Sequence, residues 1–270
     1  MSSFDSKILI VDDDHDARNN LKRILEECKG IAADTAESYR EASFFISKTS
    51  YDVIITDMRM ETKKSGMDVL SLSSQINPAT RVIVISAYDN TDEAFLAGEL
   101  GMFAYISKID DDPYDKIVKK VEKALIFDAF VSYKNDDQNA VRSLCNTLKN
   151  NGLRIWVDYE RVTPGANWLD SIQKAISLSR SGILVFGEKG VGKWQKTEIE
   201  LLIQLANSAA KKIIPVLLPG VDRVPTDFPF LESYHRLQLN PCIYTGCVFD
   251  QLVSSIFGPH RWYRRFGQRI

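Results

Sequence analysis

The feature that most limits the fold of this chain is a regular alternation of short apolar runs with amphipathic segments. Each apolar run is about as long as one buried strand, and the segments between the runs carry apolar side chains at helical spacing. Strands buried on both faces of a parallel sheet are apolar throughout, whereas the covering helices need only one apolar stripe. The pattern therefore predicts a doubly wound α/β fold. In the first half the apolar runs span residues 8–11, 53–55, 82–85 and 103–106.

The same alternation starts again in the second half of the chain. The predicted strands span residues 129–132, 154–157, 182–186, 213–217 and 234–239, and the predicted helices span residues 137–150, 168–179, 197–210 and 247–257. The last helix of the first half, residues 113–125, leads into the next strand with almost no linker. We therefore predict two consecutive doubly wound parallel-sheet domains, at residues 1–124 and 125–260.

A short basic tail follows the second predicted domain, at residues 261–270. It contains Arg261, Arg264, Arg265 and Arg269 and no acidic residue. This composition fits either a solvated terminal helix or a contact with an anionic partner.

The composition argues against several classes of protein. An apolar fraction of 44% and a charged fraction of 26% are ordinary for a globular protein and exclude a mainly disordered or fibrous chain. A net charge of -2 gives no bulk signal for nucleic acid, and the second half lacks the basic recognition helix of a DNA-binding domain. The first dozen residues include charges, and no run approaches the roughly 20 apolar residues of a membrane span. The 4 cysteines form no CxxC pair. We therefore predict a cytoplasmic protein without DNA binding, a membrane span or disulfides.

Charged and polar side chains stand at the carboxyl ends of four predicted strands in the first half. Asp12 and Asp13 follow the first of these strands, Asp57 follows the second, Ser86 ends the third and Lys108 follows the fourth. In an open α/β sheet these ends meet at one edge, so the five side chains should converge. Crowded carboxylates favour a hard cation such as Mg²⁺. A carboxylate beside the metal can attack a phosphoryl group, and an ammonium and a hydroxyl can bind the resulting phosphate.

A simpler alternative is that acidic residues after strands only cap the following helices, as Asp14 could do. The order of the residue types favours the phosphoryl-acceptor site. The segments ILIVDDD, ITDMRM, IVISAYD and AYISK resemble, in this order, the receiver domains of two-component response regulators over residues 5–124. The resemblance implies a flavodoxin-like fold and a histidine kinase or phosphotransfer protein as partner.

The resemblance to receiver domains also implies a role for each site residue. The implied Mg²⁺ ligands are Asp12, Asp13 and Asp57, the implied phospho-acceptor is Asp57, and the implied phosphate-sensing residues are Ser86, Lys108 and Tyr105. Tyr105 would turn inward when the phosphate draws Ser86 towards itself. Glu61 and Ile109 stand where prolines are common in the family, which bears on loop geometry and switching kinetics.

The second half contains a segment with the spacing of a phosphate-binding P-loop. GEKGVGK at residues 187–193 follows a predicted strand and precedes a predicted helix. A P-loop continues with Ser or Thr to hold Mg²⁺, whereas this chain has Trp194. A nucleoside triphosphatase is therefore the weaker interpretation of this half.

Four longer segments of the second half resemble the Toll/interleukin-1 receptor (TIR) family, in its bacterial type, over residues 126–258. They are FDAFVSYKNDD, LKNNGLRIWVDYERVTPGANWLDSIQKAI, SRSGILVFGEKGVGKWQKTEIELLI and IIPVLL. Some TIR domains are scaffolds, and others cleave NAD⁺ at its nicotinamide–ribose bond with a glutamate four residues after a tryptophan. The resemblance implies Glu198 as that catalytic residue, and as substrate-binding residues Tyr133, Lys134, Asp158, Gly165, Trp168 and Trp194.

A carboxylate suits this reaction because cleavage leaves positive charge on the ribose, as in glycoside hydrolysis. The alternative for Glu198 is a glutamate favoured by the helix dipole, with Trp194 as a core anchor. We predict that phosphorylation of Asp57 promotes a homodimer or larger oligomer and controls a TIR enzyme that forms ADP-ribose or cyclic ADP-ribose. The second hypothesis is a non-enzymatic adaptor that oligomerises through TIR contacts.

Overall fold

The computed structural model describes residues 6–88, 91–157, 167–209, 211–239 and 246–258. The chain divides into two compact units, the second of which begins at Ile126. Within the described ranges, no helix combines the length and the apolar character that crossing a membrane requires.

The first unit is a five-stranded parallel sheet covered by helices on both faces. Its strands are β1 (Ile8–Val11), β2 (Ala33–Ala36), β3 (Val53–Asp57), β4 (Arg81–Ser86) and β5 (Ala104–Ser107). Its helices are α1 (His15–Arg23), α2 (Tyr39–Lys48), α3 (Ser65–Ile76), α4 (Thr91–Glu99) and α5 (Pro113–Ala124), and α1 continues into a π-helical turn (Ile24–Cys28). The strand order is β2-β1-β3-β4-β5, as in flavodoxin-like folds.

The alternation of side chains along β1 explains why its sequence is apolar throughout. Ile8 and Ile10 pack into the core cluster that includes residues of α1 and α5. Leu9 and Val11 pack into the cluster on the other face, with residues of α2 and α3. Both faces of the strand are therefore buried, as the sequence pattern predicted.

Two elements of this unit, β2 and α4, have no counterpart among the strands and helices predicted from the sequence. Strand β2 has the sequence ADTA and lies at the edge of the sheet, where it pairs with β1. Helix α4 buries only Ala97 among its residues, while Phe95 and Leu96 are exposed. Neither element contains the apolar run or stripe from which the other strands and helices were predicted.

The second unit is also a five-stranded parallel sheet with helices on both faces. Its strands are β6 (Phe127–Ser132), β7 (Ile155–Trp156), β8 (Ser179–Phe186), β9 (Lys212–Leu217) and β10 (Leu237–Gln238). Its described helices are α6 (Gln138–Asn150), α7 (Trp168–Ser177), α8 (Lys193–Ala209) and α9 (Gly246–Phe257), with 3₁₀ turns at Asn135–Asp137 and Pro229–Ser233. The order β10-β9-β8-β6-β7, read from the other edge, repeats that of the first sheet. The prediction of two consecutive doubly wound parallel sheets is confirmed.

The start of helix α8 differs from the prediction and changes the position of Glu198 in the helix. The helix was predicted to begin at residue 197, but it begins at Lys193. Trp194 therefore lies in the first turn and Glu198 in the second. The helix dipole acts mainly on the first turn, so it contributes little to the placement of Glu198.

Candidate functional sites

Three carboxylates converge at the carboxyl edge of the first sheet. Asp12 follows β1 and is 1% exposed, Asp57 ends the neighbouring strand β3 and is 8% exposed, and Asp13 is exposed. One oxygen of each residue lies within 4.8 Å of the others. Strand order reverses between β1 and β3, and this switch point is where doubly wound sheets bind ligands. Three oxygen donors at this separation fit a small divalent cation such as Mg²⁺.

Lys108, which follows β5, neutralises part of this negative charge. Its Nζ atom lies 3.0 Å from Oδ2 of Asp12 and also donates a hydrogen bond to Oδ2 of Asp57. Burial raises the pKa of Asp12, and the nearby charge of Lys108 only partly opposes this effect. Burial acts to lower the pKa of Lys108, but the bonds and charges of Asp57 and Asp12 outweigh it and the pKa is raised. Lys108 therefore places a positive charge beside the candidate acceptor.

Ser86 and Tyr105 both contact the loop that follows β4. The Oγ atom of Ser86, which is fully buried, accepts a hydrogen bond from the backbone N–H of Tyr88 at 3.1 Å. The hydroxyl of Tyr105 donates to the backbone carbonyl of Tyr88 at 2.9 Å. The structure thus links these two predicted phosphate-sensing residues through Tyr88, although they lie on different strands.

Arg59 is a residue of this site that the sequence analysis missed. Its backbone N–H donates to Oδ1 of Asp57 at 3.2 Å, and its guanidinium lies 4.1 Å from the ring centroid of Tyr88. Its Nη2 atom donates to Oε1 of Glu93, in the first turn of α4, at 2.7 Å. Arg59 could have been found from its place two residues after Asp57, at the same strand end. The position of Glu93 in the sequence does not indicate that it belongs to this site.

Three other residues discussed in the sequence analysis have defined places near this site. Asp14 caps α1, because Oδ1 accepts the N–H groups of Asp16 and Ala17 at 2.9 and 3.1 Å. Glu61, which stands where a proline is common, accepts the N–H of Tyr39, the first residue of α2, at 2.6 Å. Ile109, which also stands where a proline is common, is 71% exposed.

Glu198 occupies the corresponding switch point of the second sheet. Strand order reverses between β6 and β8, and Ser132 is the last residue of β6. The hydroxyl of Ser132 donates to Oε2 of Glu198 at 2.5 Å. Glu198 is 4% exposed and Ser132 is fully buried, so the carboxylate lies inside the domain beside the strand end.

The two tryptophans of the predicted substrate site form a pair at the surface. Trp168 is the first residue of α7, and its ring centroid lies 4.9 Å from that of Trp194 in an edge-to-face arrangement. Trp194 is 66% exposed, so it is not the core anchor that the alternative interpretation required. Two further predicted substrate-binding residues, Asp158 and Gly165, lie outside the described residues.

Tyr133 and Lys134 follow β6 but have different surroundings. Tyr133 is 8% exposed and belongs to the hydrophobic core on the side of α6. The Nζ atom of Lys134 donates to the backbone carbonyl of Lys189 at 2.9 Å and lies 3.5 Å from the carboxylate of Asp136. Lys134 therefore joins the loop after β6 to the loop after β8.

The loop at residues 187–193 does not resemble a P-loop in its hydrogen bonding. The N–H of Gly190 donates to the carbonyl of Gly187 at 3.1 Å, and the N–H of Gly192 donates to Oε1 of Gln195 at 3.4 Å. A P-loop directs its N–H groups at phosphate, whereas these two donate to the loop itself and to the start of α8. Gln195, which the sequence analysis missed, is 2% exposed and also donates to the carbonyl of Val185 at 2.8 Å.

Family comparisons agree with the two folds. Residues 8–122 match the response regulator receiver domain, and residues 129–242 match the TIR domain. The chain therefore contains a response regulator receiver domain followed by a TIR domain.

Two curated relatives are each similar to part of this chain. The response regulator protein PilR of Pseudomonas aeruginosa is 34% identical over 102 residues, which cover 38% of this chain and 22% of PilR. The DNA-binding transcriptional regulator NtrC of Klebsiella pneumoniae is 30% identical over 187 residues, which cover 68% of this chain and 36% of NtrC. The matches thus span between about a fifth and about a third of these relatives. A solved receiver domain from Clostridium thermocellum is 34% identical, with a TM-score of 0.40, and the match covers 44% of this chain and 94% of that one.

Proposed function

We propose that the receiver domain accepts a phosphoryl group on Asp57 and thereby controls a TIR domain that cleaves NAD⁺ at the nicotinamide–ribose bond. The donor would be a histidine kinase or a phosphotransfer protein, as the receiver family implies. The observation that supports the receiver chemistry is the convergence of Asp12, Asp13 and Asp57 within 4.8 Å. Mg²⁺ held by these carboxylates would neutralise the negative charge of the incoming phosphoryl group.

The chain's own residues have distinct tasks in the proposed phosphorylation. A carboxylate oxygen of Asp57 attacks the phosphorus atom, and the bond from phosphorus to the donor breaks as the acyl phosphate forms. Lys108, already bonded to Asp57, can bind an oxygen of the new phosphate. Ser86 can do the same with its hydroxyl. A change at Ser86 would reach Tyr88, since the two are hydrogen-bonded, and through Tyr88 the ring of Tyr105.

The observation that carries the proposed NAD⁺ cleavage is the buried carboxylate of Glu198 at the switch point of the TIR sheet. The bond between ribose C1′ and the nicotinamide nitrogen breaks with its electron pair passing to nicotinamide, which leaves neutral. Water adds to C1′ and releases a proton, which gives ADP-ribose. A fixed carboxylate stabilises the positive charge that develops on the ribose. The exposed pair of Trp168 and Trp194 offers aromatic surface for the base or the ribose.

A specific observation also favours the second candidate function, a non-enzymatic adaptor. Glu198 is only 4% exposed and is bonded to Ser132, as a purely structural glutamate would be. Trp194 is instead 66% exposed and could contact a partner protein. An adaptor would retain partner binding in a variant of Glu198 and would have no NAD⁺ turnover to lose.

The two candidates are distinguished by measuring NAD⁺ loss, with product identification by mass, for the full chain and for Glu198→Gln. Glu200→Gln is the matched control because Glu200 is exposed on the same helix. The assays are run at low and high protein concentration, with and without acetyl phosphate and Mg²⁺. We expect turnover that Glu198→Gln abolishes and Glu200→Gln retains. No turnover of the wild-type chain in any condition would favour the adaptor.

Control by the receiver has its own test. We expect phosphorylation to promote a dimer or larger oligomer, and turnover to respond to acetyl phosphate in the wild type but not in Asp57→Ala. Light scattering of the two proteins, with and without acetyl phosphate, gives the oligomeric state. A phosphorylated protein that stays monomeric, with turnover unchanged by Asp57→Ala, would contradict the proposed control.

A further inference from the structure

The hydrogen bond between Ser132 and Glu198 joins two buried polar side chains that are far apart in sequence. The Oγ atom of Ser132 donates to Oε2 of Glu198 at 2.5 Å, across a separation of 66 residues. Ser132 is fully buried and Glu198 is 4% exposed. A buried carboxylate is costly unless it is hydrogen-bonded, and a hydroxyl that donates to it favours the ionised form.

The backbone of Ser132 is held more firmly than that of a loop residue. Ser132 pairs with Leu184 of β8, within the parallel register of the two strands. Its neighbours Val131 and Tyr133 point into the core beside α6, so the alternation of the strand directs Ser132 to the opposite face, towards α8. A donor built on a strand end fixes its partner more closely than a mobile side chain does.

We propose that Ser132 is the positioning residue for Glu198 in the TIR domain. By donating to Oε2 it fixes the rotation of the carboxylate, so that the other oxygen can face an oxocarbenium-like ribose. This inference rests on the proposed NAD⁺ cleavage. It adds that catalysis depends on one hydroxyl that does not itself touch the reacting atoms.

The test uses the full chain and NAD⁺, with matched variants at residue 132. Ser132→Thr and Ser132→Val give side chains of nearly the same branched shape at a buried site, but only threonine keeps the hydroxyl. Ser132→Ala removes the hydroxyl without adding volume. Ser181→Ala is the control, because Ser181 is also buried in the sheet and its hydroxyl donates to the carbonyl of Asp128 at 2.9 Å, away from Glu198.

We expect kcat to fall about 10- to 100-fold in Ser132→Ala and Ser132→Val, the loss typical of one hydrogen bond to a charged group. KM should change by less than about threefold, because the bond orients the carboxylate and does not bind NAD⁺. Ser132→Thr should keep a kcat well above that of Ser132→Val, and Ser181→Ala should keep the wild-type value. Circular dichroism and thermal unfolding establish that each variant is folded.

Each outcome bears on the inference separately from the proposed function. If the wild type turns over NAD⁺ and Ser132→Ala does so equally well, the positioning role is wrong while the enzyme stands. An equal fall of kcat in Ser132→Thr and Ser132→Val would also overturn the positioning role, because altered packing and not the missing hydroxyl would then explain the fall. If the wild type has no turnover in any condition, the proposed cleavage fails and the inference fails with it.

Discussion

Arg59 and Glu93 form an ion pair that joins the loop after the acceptor strand to the first turn of α4. Nη2 of Arg59 lies 2.7 Å from Oε1 of Glu93, and the two side chains are 27% and 22% exposed. The guanidinium also lies over the ring of Tyr88, 4.1 Å from its centroid. The pair is largely shielded from water, so removal of one partner leaves the other charge poorly solvated. In an ion pair at the surface, water would solvate the remaining charge.

We expect Glu93→Ala to lower the free energy of unfolding of the receiver by about 1–3 kcal/mol, since a largely buried charge loses its partner. The amides of α4 should also exchange with solvent faster, because this helix buries little apolar surface. Urea unfolding and hydrogen exchange measure the two effects. Glu99→Ala, at an exposed position of the same helix, should change stability by less than about 0.5 kcal/mol. Equal effects of the two substitutions would mean that the ion pair does not stabilise α4.

The acidic site predicts a contrast between two neighbouring aspartates. Asp13 contributes to the group of three carboxylates, whereas the side chain of Asp14 caps α1. We expect Asp13→Asn to weaken Mg²⁺ binding and to slow acetyl-phosphate labelling of Asp57 at least about tenfold, because a charged ligand is lost. In Asp14→Asn, Asp57 should be labelled at the normal rate, since asparagine also caps helices. Removal of metal with EDTA should stop labelling in all variants, and intact-protein mass measures the phosphorylated fraction. Normal labelling of Asp13→Asn would contradict this ligand assignment.

Gly66 lets α3 approach the carboxyl end of the acceptor strand. Its N–H donates to the carbonyl of Met58 at 3.1 Å, and a Cβ atom there would lie 2.7 Å from Cα of Met58. Because backbone atoms block this space, we expect Gly66→Ala to destabilise the receiver by about 1–3 kcal/mol. It should also slow phosphorylation of Asp57 by displacing the strand end.

Gly98 provides the matched control for that substitution. It lies in α4, and no atom outside the adjoining residues and backbone of that helix lies within 4 Å of the position that a Cβ would take. Gly98→Ala should therefore be neutral or should raise the free energy of unfolding by up to about 1 kcal/mol, from helix propensity and the unfolded chain. Thermal unfolding of both variants measures the contrast. If Gly98→Ala lowered the free energy of unfolding as much as Gly66→Ala, the close approach at Gly66 would not be the cause of the destabilisation.

Asp137 gives the TIR domain a predictable dependence on pH. Burial, and then the charge of Asp136, raise the pKa of Asp137 above its ordinary value of 3.8. The unfolded chain therefore loses this proton at lower pH than the folded domain does. The contribution of Asp137 to the free energy of unfolding is greatest below pH 3.8 and falls as the pH rises through the folded-state pKa.

Asp137→Asn removes this titration while it keeps the shape of the side chain. We expect the stability difference between variant and wild type to grow in favour of the variant as the pH rises from about 4 to about 7. Urea unfolding at several pH values measures this trend. Asp222→Asn, at an exposed position of the same domain, is the matched control for the chemical substitution itself. A constant difference for Asp137→Asn would mean that its pKa is not raised.

The amino-acid sequence alone was sufficient for the architecture and for the convergence of the acidic site. Buried strands such as β1 are continuous apolar runs, and Asp12, Asp57 and Lys108 stand directly after such strands. Parallel strands bring their carboxyl ends to one edge, so a local position in the sequence becomes a common place in space. The edge strand β2 and helix α4 were missed because their burial comes from neighbouring elements and not from an apolar pattern of their own.

Only the tertiary structure decided which side chains touch and which are exposed. Trp194 and Glu198 are four residues apart, a spacing that places two side chains on one face of a helix. Yet Trp194 is 66% exposed beside Trp168, and Glu198 is 4% exposed beside Ser132. Spacing along a helix fixes the direction of a side chain but not what packs against it. That depends on where the helix begins and on strands that are distant in sequence. The hydrogen bond from Ser132 to Glu198 spans 66 residues, so no local pattern encodes it.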